Sequence, residues 1–159
     1  MKQADQKLLI NAGIIAIAYF GIVRPILKKV GIVKTAEDIL VENQGNLPNS
    51  SNPFSSAFYK YGGAGTKLLT VSTADTYAKR IYNALGYFGD DEAAKYSVFR
   101  SLKTQSQVSF LAERFRIVYG TDLLEFLKRG KSNWNYANGL NSDELATVIN
   151  IVNKLPKFK

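Results

Sequence analysis

The chain has no cysteine and no histidine among its 159 residues. Without cysteine there are no disulfides, thiolate nucleophiles or thiolate metal ligands. Without histidine there is no imidazole base and no imidazole ligand for zinc. Chemistry is left to carboxylates, lysines, tyrosines and hydroxyls, so the expectation is a protein that is not an enzyme. Length sets a second bound, with room for one compact domain and an appendage but not for two full domains. A long block of one charge is missing too. The formal charge is +8, yet residues 1–72 hold 8 bases and 4 acids and residues 73–159 hold 13 and 9. An excess spread in this way attracts any polyanion, whether phospholipid, nucleic acid or an acidic partner. No specific nucleic-acid site is expected from it.

What the sequence does have falls into three regions: 1–33, 34–72 and 73–159. The first holds LLINAGIIAIAYFGIV, Leu8–Val23, an apolar run of 16 residues without a charge, bracketed by Lys7 and Arg24. As a helix it spans roughly 24 Å, against a hydrocarbon core of roughly 30 Å. Arg24, Lys28 and Lys29 can snorkel and extend the reach. Three readings stand: a single-pass membrane helix, a signal peptide with small-x-small at Ala16–Ala18, or an apolar helix buried in a protein assembly. In the first and third, the anchoring side chains are Leu8, Ile10, Ile14, Ile15, Tyr19 and Phe20. The surplus of lysine and arginine after the run places the C-terminal domain on the cytoplasmic side if the helix spans a membrane.

The second region begins with TAEDILVEN, where Thr35 followed by Asp38 suits a short capped helix. QGNLPNSSNPFSSAFYKYGGAGTK then reads as a linker or extended arm. Phe54, Phe58, Tyr59 and Tyr61 within it are unusual for a flexible tether and predict that part of the arm packs on the following domain. GGAGTK does not complete a phosphate-binding loop, because Leu68 stands where serine or threonine would follow the lysine.

The third region predicts five amphipathic helices sharing one core, an all-α domain. Their apolar faces are Ala78, Ile81, Tyr82 and Leu85; Ala94, Val98, Phe99 and Leu102; Val108, Leu111, Ala112, Phe115, Val118 and Tyr119; Leu123, Leu124 and Leu127; and Leu145, Val148, Ile149, Val152 and Leu155. Expected caps are Ser72 or Thr73 for the first, Thr121 for the fourth and Ser142 with Glu144 for the fifth. Gly120 stops the third and Pro156 ends the fifth. Phe99, Leu111, Phe115 and Val148 are the expected centre of the core.

AKRIYNALGYFGDDEAAKYSVFRSLKTQSQVSFLAERFRIVYGTDLLEFLK, Ala78–Lys128, resembles an annexin repeat. The order of parts agrees: a helix ending Ala-Leu, a glycine loop, Asp-Glu opening the next helix, a Gln/Ser turn, a helix ending Tyr-Gly, then Asp-Leu-Leu-Glu-Phe-Leu-Lys and a last apolar helix. The resemblance covers Thr73 to about Leu155 and one repeat, where annexins usually carry four. It implies a five-helix module. It also implies a loop of the form Gly-x-Gly-Thr-Asp-Glu whose carbonyls, with a distant carboxylate, hold calcium against phospholipid. Three departures argue against that ion here. Tyr87 stands where the first loop glycine belongs, Asp90 replaces the threonine, and Lys128, Arg129 and Lys131 occupy the place of the capping acid. Calcium needs about six to eight oxygen ligands, so no metal and no cofactor is expected. Asp90 is instead expected to cap the second helix, with Asp91 and Glu92 favouring its positive end.

Between the last two helices lies GKSNWNYANGLN, Gly130–Asn141, holding the single tryptophan. Trp134 beside Tyr136 is a candidate partner contact, or Trp134 folds back over the fourth helix. The layout as a whole is similar to small virion proteins of tailed, crAss-like phages of Bacteroidetes, which implies a virion component. The expectation is therefore an anchored, non-enzymatic structural or interaction protein. Its partners would be a protein assembly, copies of itself included, or membrane lipid. The alternative is a peripheral protein that binds acidic phospholipid, with or without calcium.

Overall fold

The computed structural model describes residues 34–84, 92–129 and 139–158. Among them every regular element is helical: α1 (Ala36–Asn46), a 3₁₀ turn (Phe58–Gly62), α2 (Val71–Ala84), α3 (Glu92–Ser101), α4 (Gln105–Tyr119), α5 (Leu123–Arg129) and α6 (Ser142–Asn153). The chain divides into two compact units, Met1–Ile39 and Leu40–Lys159. In the first, the described part is the start of α1. There the Thr35 hydroxyl accepts the Asp38 N–H at 3.1 Å, and an Asp38 oxygen accepts the Thr35 N–H at 2.8 Å. This reciprocal cap satisfies two of the donors a helix start leaves open.

The second unit is built around the predicted apolar stripes. Ala74, Ala78, Ile81 and Ala84 of α2 repeat every three to four residues and are buried. Val98, Phe99 and Leu102 from α3 meet them, as do Val108, Leu111, Ala112 and Phe115 from α4. Leu123, Leu124, Phe126 and Leu127 of α5 and Leu145, Val148, Ile149 and Val152 of α6 complete the core. Phe99, Leu111, Phe115 and Val148 are all inaccessible to solvent. Asp75 pairs with Arg114, and Tyr82 stacks on Tyr119 at 4.1 Å with rings 4° from parallel. The later α2 residue thus meets the later α4 residue, so α2 and the second half of α4 run in the same sense.

Several expectations are corrected. Val118 is 48 % exposed. Tyr82, Tyr119, Phe115 and Phe126 form one aromatic cluster with centroids 4.1–5.3 Å apart, and it takes the inner face at the end of α4, turning position 118 outward. The cap of α2 is Thr70, whose hydroxyl accepts the Thr73 N–H at 3.2 Å, rather than Ser72 or Thr73. The cap of α6 is Asn141, which accepts from Asp143 and Glu144, while the Glu144 carboxylate accepts the Asn141 N–H. Asn141 and not Ser142 is therefore the cap, because it places Glu144 at the third helical position. Gly120 stops α4 as expected, with φ 70° and its N–H on the Arg116 carbonyl. That left-handed conformation favours glycine.

The arm is not extended. It folds into successive turns closed by Ser51 N–H on Pro48 O at 2.8 Å and Ser55 N–H on Asn52 O at 3.0 Å. It then enters the 3₁₀ turn, and Phe54 and Phe58 are buried, as the aromatic content of the arm predicts. Phe58 stacks on Phe158 at 5.0 Å. Gly62 lets the two segments close up, since a Cβ there would stand 2.4 Å from the Phe158 ring.

Candidate functional site

A concavity lies where the arm turns against α5. It is an open cleft of about 340 Å³ lined by Gly45, Leu47, Asn49, Asn52, Ser55 and Ser56 from the arm side and by Asp122, Leu124, Glu125 and Lys128 from the α5 side. Asn52 in its lining belongs to a buried polar pair with Gln44. The Gln44 amide donates to Asn52 Oδ1 at 2.9 Å, and the Asn52 amide returns a bond to the Gln44 carbonyl at 3.2 Å. Asn52 Oδ1 also accepts the Phe54 N–H at 2.9 Å. Burying side-chain amides is unfavourable unless their bonds are made, and these three bonds fix how the chain reverses after α1.

The rest of the lining is similarly engaged. The Ser55 hydroxyl donates to Asn49 Oδ1 at 2.9 Å, Glu125 pairs with Arg129 one turn on, and a Cβ on Gly45 would lie 3.1 Å from the Lys128 ammonium. Lys128 thus sits at the carboxyl end of α1, whose last turn has no base of its own, where a cation offsets the exposed carbonyls. Polar groups committed to one another in this way describe a joint between arm and bundle.

A second polar cluster pins the 3₁₀ turn to α4. Ser109 Oγ donates to the Ser55 carbonyl and accepts the Tyr59 N–H at 3.0 Å. Glu113 accepts from the Tyr59 hydroxyl at 2.8 Å and pairs with Lys60 at 3.3 Å. Burial, then the hydrogen bond to Glu113 and its negative charge, pushes the Tyr59 phenol up from 10.0 to about 12. On the other face of α4, Arg114 grips Asp75 with two bonds, at 2.8 and 3.0 Å. That bond, ahead of the neighbouring negative charges, holds the guanidinium above its usual value.

The residues singled out from sequence mostly fall outside the described residues. Leu8, Ile10, Ile14, Ile15, Tyr19 and Phe20 of the apolar run lie outside the described residues, as do Trp134 and Tyr136. So do Tyr87, Asp90, Asp91 and Lys131 of the metal-loop comparison. Of that set, Lys128 and Arg129 are described, with the neighbours given above. Among the described residues no helix is long and apolar enough to cross a membrane, and no three acids gather as a metal-binding group. Sequence reading missed Gln44, Asn52, Ser109 and Glu113 as the residues that fix the arm. The one available signal was the arm's aromatic content, which marks contact but not its polar partners. No family model matches the chain, and no curated protein and no solved structure is similar to it.

Proposed function

We propose that the protein is a non-enzymatic, anchored structural or interaction protein. Its helical unit acts as a single annexin-like module and its N-terminal apolar run is the anchor. One observation carries the reading. A 16-residue run without charge, Leu8–Val23, precedes a tightly braced unit of five helices in which the fourth is short and the last is opened by a capping box. A run of that kind is too apolar to stay in water, and the unit supplies a rigid body for it to tether. The similarity of layout to small virion proteins of tailed phages supports a place in a virion, with the run seated in a membrane or in the assembly. The second reading, a peripheral protein bound to acidic phospholipid, draws on the charge of +8.

Flotation tests the anchor. The full chain is expected to float with lipid vesicles, or to enter the native particle, even in high salt. Deleting Met1–Lys34 is expected to leave a soluble helical protein that stays at the bottom of the gradient. A shortened chain that still floats in high salt would assign the association to the helical unit and overturn the anchor.

A further inference from the structure

The positive charge that the sequence scatters is gathered by the fold. Residues 43–74, 93–112 and 145–159 contain no acid at all, while holding 8 of the 21 bases.

All three meet at the first turn of α4. Gln107 accepts the Lys103 N–H at 2.8 Å and donates to the Lys67 carbonyl at 3.4 Å. Beside it, the Pro156 and Lys157 carbonyls accept the N–H groups of Gln105 and Ser106 at 2.9 and 3.1 Å, and the Ser106 hydroxyl also donates to Lys157 O at 2.8 Å. The Gln105 amide reaches the Val152 carbonyl at 3.4 Å, which places Lys154 on the turn between. Lys67, Lys103, Lys154 and Lys157 are all exposed, and none pairs with an acid among the described residues. The acids next along the chain are engaged elsewhere, Glu113 with Lys60 and Asp75 with Arg114. Tyr61, 59 % exposed, adjoins Gly62 at the edge of this face.

We propose that this end of the bundle is a docking surface for an anionic phospholipid membrane, used without calcium. An ammonium is a compact, hydrated point charge that reads charge density, whereas a guanidinium reads the geometry of a phosphate or base edge. The four cations gathered at this turn are lysines, and the nearby Arg100 on α3, also exposed, lies over the Tyr96 ring at 5.7 Å. Four lysines are the size of a cluster drawn to an anionic leaflet, and a tyrosine at its rim suits the headgroup layer. A second copy of the chain is a poor partner, because it carries the same net charge of +8 and like charges repel. The face lies at the far end of α3 from Glu92, the acid that opens this helix in the annexin resemblance. Taking the polyanion to be a membrane rests on the anchored reading above.

The full chain is sedimented with vesicles of phosphatidylcholine alone and of phosphatidylcholine with phosphatidylserine, both in chelator and low salt. The serine-lipid vesicles are expected to bind more protein, and each Lys→Gln change to remove roughly fivefold of that preference. The quadruple variant K67Q/K103Q/K154Q/K157Q is expected to bind both vesicles equally and to melt with the native chain. Replacing the same four with arginine should keep the preference, and high salt should erase it. Binding to neutral vesicles reports the N-terminal run, so its failure speaks against the anchor and leaves the anionic increment readable. Three results overturn the proposal: equal binding of the native chain to both vesicles, a preference that survives in the quadruple glutamine variant, or tighter binding to a single-stranded oligonucleotide than to the serine-lipid vesicles at the same salt.

Discussion

Glu113 shows how much one side chain can organise. It sits two turns into α4, partly buried, accepting from the Tyr59 hydroxyl while Lys60 offsets its charge. The lysine is exposed, and an exposed ion pair is worth about 0–1 kcal/mol. A hydrogen bond from the phenol to a carboxylate is worth about 1.5–3 kcal/mol, so the tyrosine is the stronger of the two contacts. Burial of the phenol, together with this contact, ties stability to pH. In the unfolded chain the phenol titrates at its ordinary value of 10.0, and in the folded chain at about 12. The folded state therefore holds the proton longer. Its contribution is complete below pH 10 and is lost as pH rises through the window to about 12. Tyr59→Phe is expected to be less stable than the native chain at neutral pH. Its melting temperature should also fall less steeply above pH 10, a difference read by circular dichroism melts across that range. Parallel pH curves for the two proteins would show that the Tyr59 phenol does not carry this pH dependence.

At the level of the element, the helices were legible because burial follows the 3.6-residue period. Val108, Leu111, Ala112 and Phe115 are buried where the period places them. Val118 was not legible, since whether a stripe continues to its last turn depends on which aromatic rings arrive from α2 and α5. Caps were legible in kind but not in register. Asn141, Ser142 and Asp143 can each accept from a helix start, and only the reach of Glu144 back to Asn141 N–H, at 2.9 Å, settles which one does. Asn141→Ala is expected to lower stability by about 0.5–2 kcal/mol, with Ser142→Ala costing less, as measured by urea unfolding of the two variants. A larger loss at Ser142 would move the cap back to the position expected from sequence. The folded arm was hidden for another reason. Its Asn, Ser, Gly and Pro are linker residues by composition, and the Gln44–Asn52 pair that orders it links positions eight apart with no periodic mark. The basic end of the bundle was hidden in the same way, since Lys67, Lys103 and Lys157 are far apart in sequence and meet at the start of α4.

For the molecule as a whole, the arm belongs to the core it was expected merely to touch. Phe54 lies 6.2 Å from Phe99 between ring centroids, and Phe58 stacks on Phe158 while the carbonyls of Pro156 and Lys157 close the start of α4. Arm, tail and α4 therefore brace one another at a single place. A unit of this size buries a modest share of its surface and has little stability in reserve. Removing one buried phenylalanine side chain costs about 3–5 kcal/mol, and the total stability of such a domain is about 5–15 kcal/mol. A chain beginning at Thr73 loses both arm phenylalanines together with the Tyr59 bonds to Ser109 and Glu113, so the loss is comparable with the whole. A chain beginning at Thr35 keeps all of these and the cap of α1. Thr35–Lys159 is expected to melt cooperatively with a fixed aromatic circular dichroism signal. Thr73–Lys159 is expected to keep helical signal but lose both the cooperative transition and the aromatic signal, as a core stripped of packing does. Should the shorter chain melt within a few degrees of the longer one, the helices of 73–159 would be self-sufficient and the arm only a passenger on their surface.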